Sequence, residues 1–187
     1  GIYDGGDGEY YLINVNLAKS VFKVKDGEEL PRLVYSAKGS AFVGLSYHPA
    51  FDFYSDQREK GCFKIYAGDF ITEESGTGLV HLASFGEDDV QIFQKNNLPI
   101  LDPVSVDGNF LSPVSLVEGK NIKEAEPDLI ADLKKRGKVF AHDTIEHSYP
   151  FCYRTDKPLI YKSIKSWFVK VEQIRDKLIE ANSAINW

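Results

Sequence analysis

Residues 76–89 read GTGLVHLASFGEDD, and this stretch decides how the rest of the chain is interpreted. It places one histidine, His81, and a run of three carboxylates that ends at Asp89 within nine residues. The compact apolar run at 79–83 predicts a buried strand. The carboxylates would then begin a helix, because the positive end of the helix dipole favours negative charge.

The whole chain has the composition of a folded domain. Its 187 residues suffice for one domain, or for one domain with a short appendage. Hydrophobic residues make up 43% of the chain, and twelve Phe and ten Tyr supply a core that needs no disulfide. No apolar run approaches the roughly 20 residues that span a bilayer, and no signal peptide is visible. We therefore expect no membrane partner.

The charge of the chain is acidic but uneven. The net charge of −6 is not typical of a module that grips nucleic acid by itself. Between Arg154 and Lys177, however, seven basic residues stand against three acidic ones. This run is either a solvated face or a local phosphate contact.

The two cysteines, Cys62 and Cys152, lie 90 positions apart, and neither has a Cys or His at ligand spacing. The pattern argues against a zinc site and indicates a reducing setting, so we expect a cytoplasmic location.

Strand and helix signals alternate irregularly, which predicts an α+β domain and disfavours a doubly wound parallel sheet. We expect a curled antiparallel or mixed sheet, or a small β-barrel core, with peripheral helices. The predicted strands are Glu9–Asn16, short runs within 33–53, Cys62–Ala67, Leu79–Ala83, Val139–Ala141 and 159–171. A hairpin turn is predicted at Asp107-Gly108.

Four helices are predicted. The first covers Leu17–Lys23 with Asn16 as its cap, and the second runs from Asp88 to about Asn96. The third runs from Pro127 to Arg136 and ends at Gly137, with Leu129, Ile130 and Leu133 as its buried stripe. The last covers Glu172–Ser183 and is expected to bury Ile174, Leu178, Ala181 and Ile185.

The residues of the opening stretch allow two interpretations. In one, the acids only cap a helix and His81 is a core histidine. In the other, a pocket offers a carboxylate to an ammonium group, with an imidazole nearby. Gly76-Thr77-Gly78 precedes a predicted strand, which is the wrong context for a phosphate loop. A metal site at His81, Asp88 and Asp89 is disfavoured because no second histidine is close.

Two separate motifs give the chain a family resemblance. The first is GTGLVH followed by GEDD, at 76–89. The second is HSYPFCYR at 147–154, then PLIY at 158–161 and SWFVKV at 166–171. Together they resemble the editing domain inserted in isoleucyl-tRNA synthetases. The related insertions of valyl and leucyl synthetases are less similar, because His81 and the Gly-Glu-Asp-Asp run favour the isoleucyl type.

The resemblance implies a proofreading function within an isoleucine-tRNA ligase, namely hydrolysis of mischarged Val-tRNA(Ile). It implies an editing domain at 1–150 and a segment at 151–187 that returns to the catalytic core of the same polypeptide. The implied partners are the 3′ end of tRNA(Ile) and its valine moiety. The domain itself needs no cofactor, since ATP and Mg belong to the full-length enzyme. A monomer is the default expectation.

The resemblance also implies residue roles. Asp89 would hold the substrate α-ammonium through a charge-assisted bond, and His81 would line the pocket and reject isoleucine. These two are the residues assigned to catalysis. Gly76, Thr77 and Gly78 would shape the pocket wall, and Gly86 and Asp88 would be further substrate-binding positions. A positioned water and the terminal hydroxyl of the tRNA would carry out hydrolysis, with no protein base implied.

Two departures from the family pattern affect these expectations. A Thr-rich strand that forms the opposite pocket wall in the family is expected to lie before Gly1. One residue fewer separates His81 from the acidic run, and Ser84 stands where proline is common. The chain alone is therefore expected to deacylate Val-tRNA(Ile) weakly. The alternative is a module that binds the tRNA acceptor end without catalysis of its own.

Overall fold

The computed structural model describes residues 1–72, 76–144, 146–164 and 166–186. In these ranges an open antiparallel sheet has β1 in the middle, between β2 and β3. The strands are β1 (Ile2–Asp4), β2 (Tyr10–Leu12) and β3 (Arg32–Tyr35). The α-helices are α1 (Ala18–Val21), α2 (Glu87–Lys95), α3 (Ile122–Lys135) and α4 (Val171–Ser183). Short 3-10 helices cover Gly39–Phe42, Ser55–Lys60 and Ser115–Val117.

The predicted α+β class is confirmed, but the sheet is smaller and more open than a curled sheet or barrel. Strand β2 is shorter than the predicted Glu9–Asn16, because the chain turns to other partners after Leu12. The N–H of Ile13 donates to the Gly1 carbonyl (3.0 Å), and that of Asn14 donates to the Thr77 carbonyl (2.8 Å). The end of this strand thus contacts the glycine turn at 76–78.

The first hydrophobic cluster lies where β1, β2 and α1 meet. Tyr3, Ile13 and Ala18 are buried there. The ring of Phe22 packs edge-on against that of Tyr3, with 5.6 Å between centroids. The ring of Phe140, which is largely exposed, contacts the edge of this cluster, with 5.8 Å between its centroid and that of Phe22. The strand predicted at 139–141 is wrong, because this aromatic contact and not sheet pairing holds the segment.

The N-terminus of α1 departs from the prediction, because Leu17 and not Asn16 occupies its N-cap position.

The second cluster contains Val114, Val117 and Ala125, all buried. Ala125 belongs to α3, which begins five residues earlier than predicted and contains Pro127. The side chain of Asn121 caps this helix by accepting the Lys123 N–H at 3.1 Å. The helix continues through Pro127, although proline has no N–H to donate within it.

The remainder of α3 agrees better with the prediction. Leu129, Ile130 and Leu133 are half-buried, and Gly137 ends the helix with φ +64°. The Asp107-Gly108 turn is also confirmed, since the Ser105 N–H donates to the Asn109 carbonyl at 2.9 Å.

We expect Asn121→Ala to destabilise the chain by about 1 kcal/mol, because the first turn of α3 loses its side-chain acceptor. Asn182→Ala is the control, since Asn182 is exposed near the end of α4. Urea unfolding of both variants measures the difference. An equal effect of the two substitutions would contradict the capping role.

The predicted strand at 62–67 forms only a short antiparallel contact, around the bridge between Ser46 and Lys64. The N–H of Tyr47 donates to the Phe63 carbonyl and that of Ile65 to the Leu45 carbonyl, both at 2.9 Å.

The C-terminal part of the chain differs most from expectation. Residues 159–164 and 166–170 form no strand, although Phe151 and Pro158 make one antiparallel bridge. Helix α4 lies where predicted, but no described residue of it is buried. Its predicted core residues Ile174, Leu178, Ala181 and Ile185 are all exposed. An amphipathic pattern encodes an apolar face without specifying what covers it.

Among the described residues, no helix combines the length and apolar character needed to cross a membrane.

Candidate functional site

A cavity of about 730 Å³ lies beside the opening stretch of the sequence. Three parts of the chain form most of its walls: residues 62–71, residues 77–82, and α2 with the loop that follows it. The lining is mainly aromatic and aliphatic, as in small-molecule sites generally. Its larger apolar members are Tyr47, Tyr54, Phe63, Tyr66, Phe70, Leu82, Ile92, Phe93, Leu98 and Leu101.

Residues 79–83 are not the buried strand that the sequence predicted. They form no ladder with another strand, and the exposed fractions of Leu79 and Val80 are 42% and 56%. Both side chains line the cavity. A run of apolar residues predicts contact with an apolar environment, and here a cavity provides that environment in place of a packed core.

The glycine turn before this segment is docked on the end of β2. Besides the Asn14–Thr77 backbone bond, the hydroxyl of Thr77 donates to the Leu79 carbonyl at 3.1 Å. Gly78 has φ +79°, and a Cβ at this position would lie 2.7 Å from the Asn14 Cβ. The backbone at Gly78 therefore requires glycine for conformation and for space.

We expect Gly78→Ala to destabilise the chain by about 1–3 kcal/mol, because alanine meets both the Asn14 clash and the left-handed conformation. Gly76→Ala is the matched control: Gly76 has φ +73° but nothing within 4 Å of an added Cβ. Urea unfolding should show a clearly smaller loss for Gly76→Ala. Equal losses would mean that contact with Asn14 does not matter.

His81 lines the cavity together with Thr77 and Gly78, so three of the predicted site residues share one wall. His81 is exposed on this open wall and is not a core histidine. The core-histidine interpretation of the sequence is therefore wrong.

The other predicted site residues lie outside the cavity lining. Gly76, Gly86, Asp88 and Asp89 are not among the residues that form its walls. Gly86 is the N-cap residue of α2, and the three carboxylates occupy the first turn of that helix. Asp88 is exposed. The helix predicted to begin at these acids is confirmed.

Asp89 is tied to the segment that carries His81. The N–H of Ala83 donates to the Asp89 Oδ2 atom at 3.2 Å, and the Asp89 side chain is half-buried. The carboxylate thus holds the chain two residues after His81. Asp89 therefore has two structural effects. Its negative charge stabilises the N-terminus of α2, and its hydrogen bond fixes the loop that precedes the helix. Both effects are compatible with either interpretation of the acidic run.

Ser84 is a residue whose importance sequence reasoning missed, having noted it only as a replacement for proline. Its exposed fraction is 5%, and its hydroxyl donates to the Leu101 carbonyl at 2.7 Å. Its own carbonyl accepts a 2.7 Å hydrogen bond from the Ser163 hydroxyl. No local sequence signal marks a serine that joins three distant segments.

The titratable groups of the cavity are mostly held neutral. Burial is the largest cause that raises the pKa of the Cys62 thiol and of the Tyr47 and Tyr66 phenols. A thiol with a raised pKa is a poor nucleophile at neutral pH. Among the described residues of the lining, Lys64 is the one with a formally charged side chain, and it is exposed. The described lining therefore offers no activated thiol nucleophile.

The backbone next to Lys64 is strained, since Phe63 has φ +62° without being glycine. Such conformations cost free energy and occur often at ligand sites. Arg58 lies 5.5 Å from the centroid of the Phe63 ring and donates to the Tyr47 carbonyl at 3.1 Å. These contacts hold one end of the cavity in place.

The described residues contain no cluster of three His, Cys, Asp or Glu side chains that could hold a metal ion. Of the basic run at 154–177, Lys162 is largely buried in an ion pair and Arg154 lies 5.2 Å from the Tyr153 ring centroid. Lys165 lies outside the described residues.

Comparison with known proteins gives a consistent result. No family model matches the chain. An isoleucine--tRNA ligase of Bdellovibrio bacteriovorus is 46% identical over 187 residues, which is all of this chain and 18% of that protein. Isoleucine--tRNA ligases of Chlamydia pneumoniae and Chlamydia caviae are each 41% identical over the same span.

These matches, together with the motifs at 76–89 and 147–171, place the chain among aminoacyl-tRNA synthetase sequences. More specifically, it is similar over its full length to isoleucine--tRNA ligases, and it spans about a fifth of the length of the relatives it matches (18%). The resemblance to isoleucyl-tRNA synthetases that the sequence indicated is confirmed.

Proposed function

We propose that this chain is the proofreading domain of an isoleucine--tRNA ligase and hydrolyses the ester that joins valine to tRNA(Ile). The observation that carries the proposal is the wall of the cavity. Thr77, Gly78 and His81, which resemble the family's editing motif, line one apolar cavity in a chain that matches these ligases over its full length. The fold would then be that of the family's editing domain, with residues 1–150 forming it and 151–187 returning to the core.

The need for such a site follows from physical chemistry. A synthetic site cannot strongly reject valine, because one missing methylene is worth only about 1–3 kcal/mol, a limit for which isoleucyl-tRNA synthetases are the standard example. A second site that excludes the larger isoleucine and hydrolyses the smaller ester adds a further factor of discrimination. The cavity volume of about 730 Å³ also leaves room for the terminal nucleoside beside the amino acid.

Each part of the site has a separate role in this proposal. The apolar wall at 79–82 contacts the valine side chain, and His81 limits its size. Asp89 holds the α-ammonium group by a charge-assisted hydrogen bond while its Oδ2 atom keeps the Ala83 N–H. Water adds to the ester carbonyl carbon and gives up a proton. The bond from that carbon to the ribose oxygen then breaks, the ribose oxygen takes up the proton and leaves as the tRNA hydroxyl, and valine is released with a free carboxyl group. Gly76, Gly86 and Asp88 support the wall and the helix terminus from outside the lining.

The same proposal covers the rest of the enzyme. The ligase would form aminoacyl-tRNA with ATP and Mg in a catalytic core on the same polypeptide, as a monomer in the cytoplasm. Its partner at this site is the 3′ end of tRNA(Ile).

The direct test uses a full-length ligase that carries this chain, purified Val-tRNA(Ile) and no ATP. We expect valine to be released rapidly and Ile-tRNA(Ile) to be hydrolysed slowly at the same concentration. Equal, uncatalysed rates for the two esters would contradict the proposal.

A second candidate is a module that binds the acceptor end without catalysis. It is favoured by the position of Asp89 outside the cavity lining and by the neutral, apolar character of the walls. In the same assay such a module would retain Val-tRNA(Ile), as measured by filter binding, and release no valine.

A further inference from the structure

The segment at 159–164 contacts two loops that carry lining residues of the cavity, although none of its own residues is in the described lining. Ser163 and Lys162 are half-buried here, whereas their neighbours Tyr161 and Ile164 are exposed. The two inward residues each contact a loop that contributes to the cavity. The segment therefore has an inner edge with specific polar contacts.

The first contact runs through Ser84. The Ser163 hydroxyl donates to the Ser84 carbonyl at 2.7 Å, and the Ser84 hydroxyl donates to the Leu101 carbonyl at 2.7 Å. Leu82 and Leu101, on either side of this junction, both line the cavity. Because Ser84 is buried, a carbonyl that loses its donor there is costly. The Ser84 hydroxyl thus joins the two loops to each other, and the Ser163 hydroxyl ties this junction to the segment at 159–164.

The second contact runs through Lys162. Its side chain is 14% exposed, and its Nζ atom lies 2.8 Å from the Asp102 Oδ1 atom. The same ammonium also donates to the Val104 carbonyl. A largely buried ammonium group with two oxygen partners holds its geometry more firmly than a surface ion pair. Residues 101–104 are thus attached to the same segment as Ser84.

We propose that Lys162 and Ser163 are positioning residues for the cavity: they fix the 81–84 and 101–104 loops, and so the position of His81. The inference rests on the proposed function for its reaction readout. It assigns to two residues of the basic, C-terminal part of the chain a role in the site at 76–89, about 80 positions earlier in the sequence.

The mechanism predicts a particular kinetic signature. Neither residue touches the substrate, so substrate binding should change little. A wall displaced by about 1 Å can cost up to roughly a hundredfold in rate when it orients the reacting groups. The loss should therefore fall on kcat for deacylation and leave KM and isoleucine activation unchanged.

The experiment compares Ser163→Ala, Ser163→Thr, Lys162→Met and Lys162→Arg in a full-length ligase that carries this chain. We expect Ser163→Ala and Lys162→Met to lower kcat for Val-tRNA(Ile) hydrolysis about ten- to a hundredfold. Threonine and arginine keep the hydroxyl and the charge and should restore most of it. Lys157→Met, at an exposed lysine of the same region, is the control and should have no effect.

A second measurement does not depend on the reaction. Hydrogen–deuterium exchange of peptides that cover residues 79–86 should be faster in Ser163→Ala than in Ser163→Thr or Lys157→Met. Unchanged kcat and unchanged exchange in Ser163→Ala and Lys162→Met would overturn the inference. If the unaltered ligase releases no valine, the proposed function is wrong, and exchange alone then decides the positioning role.

Discussion

Asp89→Ala in a full-length ligase that carries this chain should cause Val-tRNA(Ile) to accumulate while isoleucine activation stays intact. Loss of the carboxylate from the proposed pair with the α-ammonium group should cost about 2–5 kcal/mol, which is roughly a 30-fold to several-thousandfold loss of deacylation. The measurement is the steady-state fraction of tRNA(Ile) charged with valine, together with valine-dependent and isoleucine-dependent pyrophosphate exchange. Unchanged mischarging would favour the binding module without catalysis.

The Asp89 experiment needs a second variant, because the structure gives this carboxylate two possible roles. Asp89→Asn keeps an oxygen that can accept the Ala83 N–H but loses the negative charge. If the charge anchors the α-ammonium group, Asn and Ala should lose activity to a similar extent. If only the loop contact matters, Asn should retain most of the activity. Glu87→Ala, an exposed acid in the same helical turn, controls for the loss of one charge at the helix terminus.

Local signals predicted the elements whose ends depend on nearby residues. Helix α2 begins at its acids, and Gly137 ends α3 in the left-handed region. These features are set by capping, the helix dipole and glycine geometry, all of which act within one turn. The predicted start of α3 at Pro127 was wrong, because a proline is only a weak signal for the first residue of a helix. The cap at Asn121 and the burial of Ala125 depend on neighbours that the pattern did not reveal.

The strands were predicted less well for a related reason. The segment at 79–83 and the segment before α4 have the apolar composition of strands, but neither pairs with another strand in the described ranges. Apolar composition predicts contact with an apolar environment, and the wall of a cavity or another surface can provide that contact as well as a sheet. The exposed apolar face of α4 shows the same limit.

The sequence predicted which segment carries the candidate site, but it did not predict the tertiary contacts that hold that segment in place. His81, Thr77 and Gly78 share a wall because they are neighbours in sequence and follow one turn. Two hydrogen bonds in series connect Ser163 to Ser84, 79 positions apart, and Ser84 to Leu101, 17 positions apart. Contacts of this kind arise from tertiary packing, and single serines leave no pattern from which to infer them.

His81→Ala should change which amino acid the site hydrolyses more than how fast it works. A smaller side chain enlarges the cavity at the wall that we propose to contact the amino acid, so Ile-tRNA(Ile) should become a substrate. Because one methylene is worth about 1–3 kcal/mol, the ratio of kcat/KM for the valyl ester to that for the isoleucyl ester should fall about 10- to 200-fold. Deacylation of both purified esters measures the ratio.

If His81 limits the size of the amino acid, a larger side chain at this position should have the opposite effect on the cavity. His81→Trp fills more of the cavity, so it should slow hydrolysis of the valyl ester without admitting isoleucine. His142→Ala is the control, because His142 is exposed near Lys134 and does not line the cavity. If His81→Ala slowed both esters equally, the imidazole would act on the reacting atoms and not on size. A site that measures size must respond in opposite directions to a smaller and a larger side chain on the same wall.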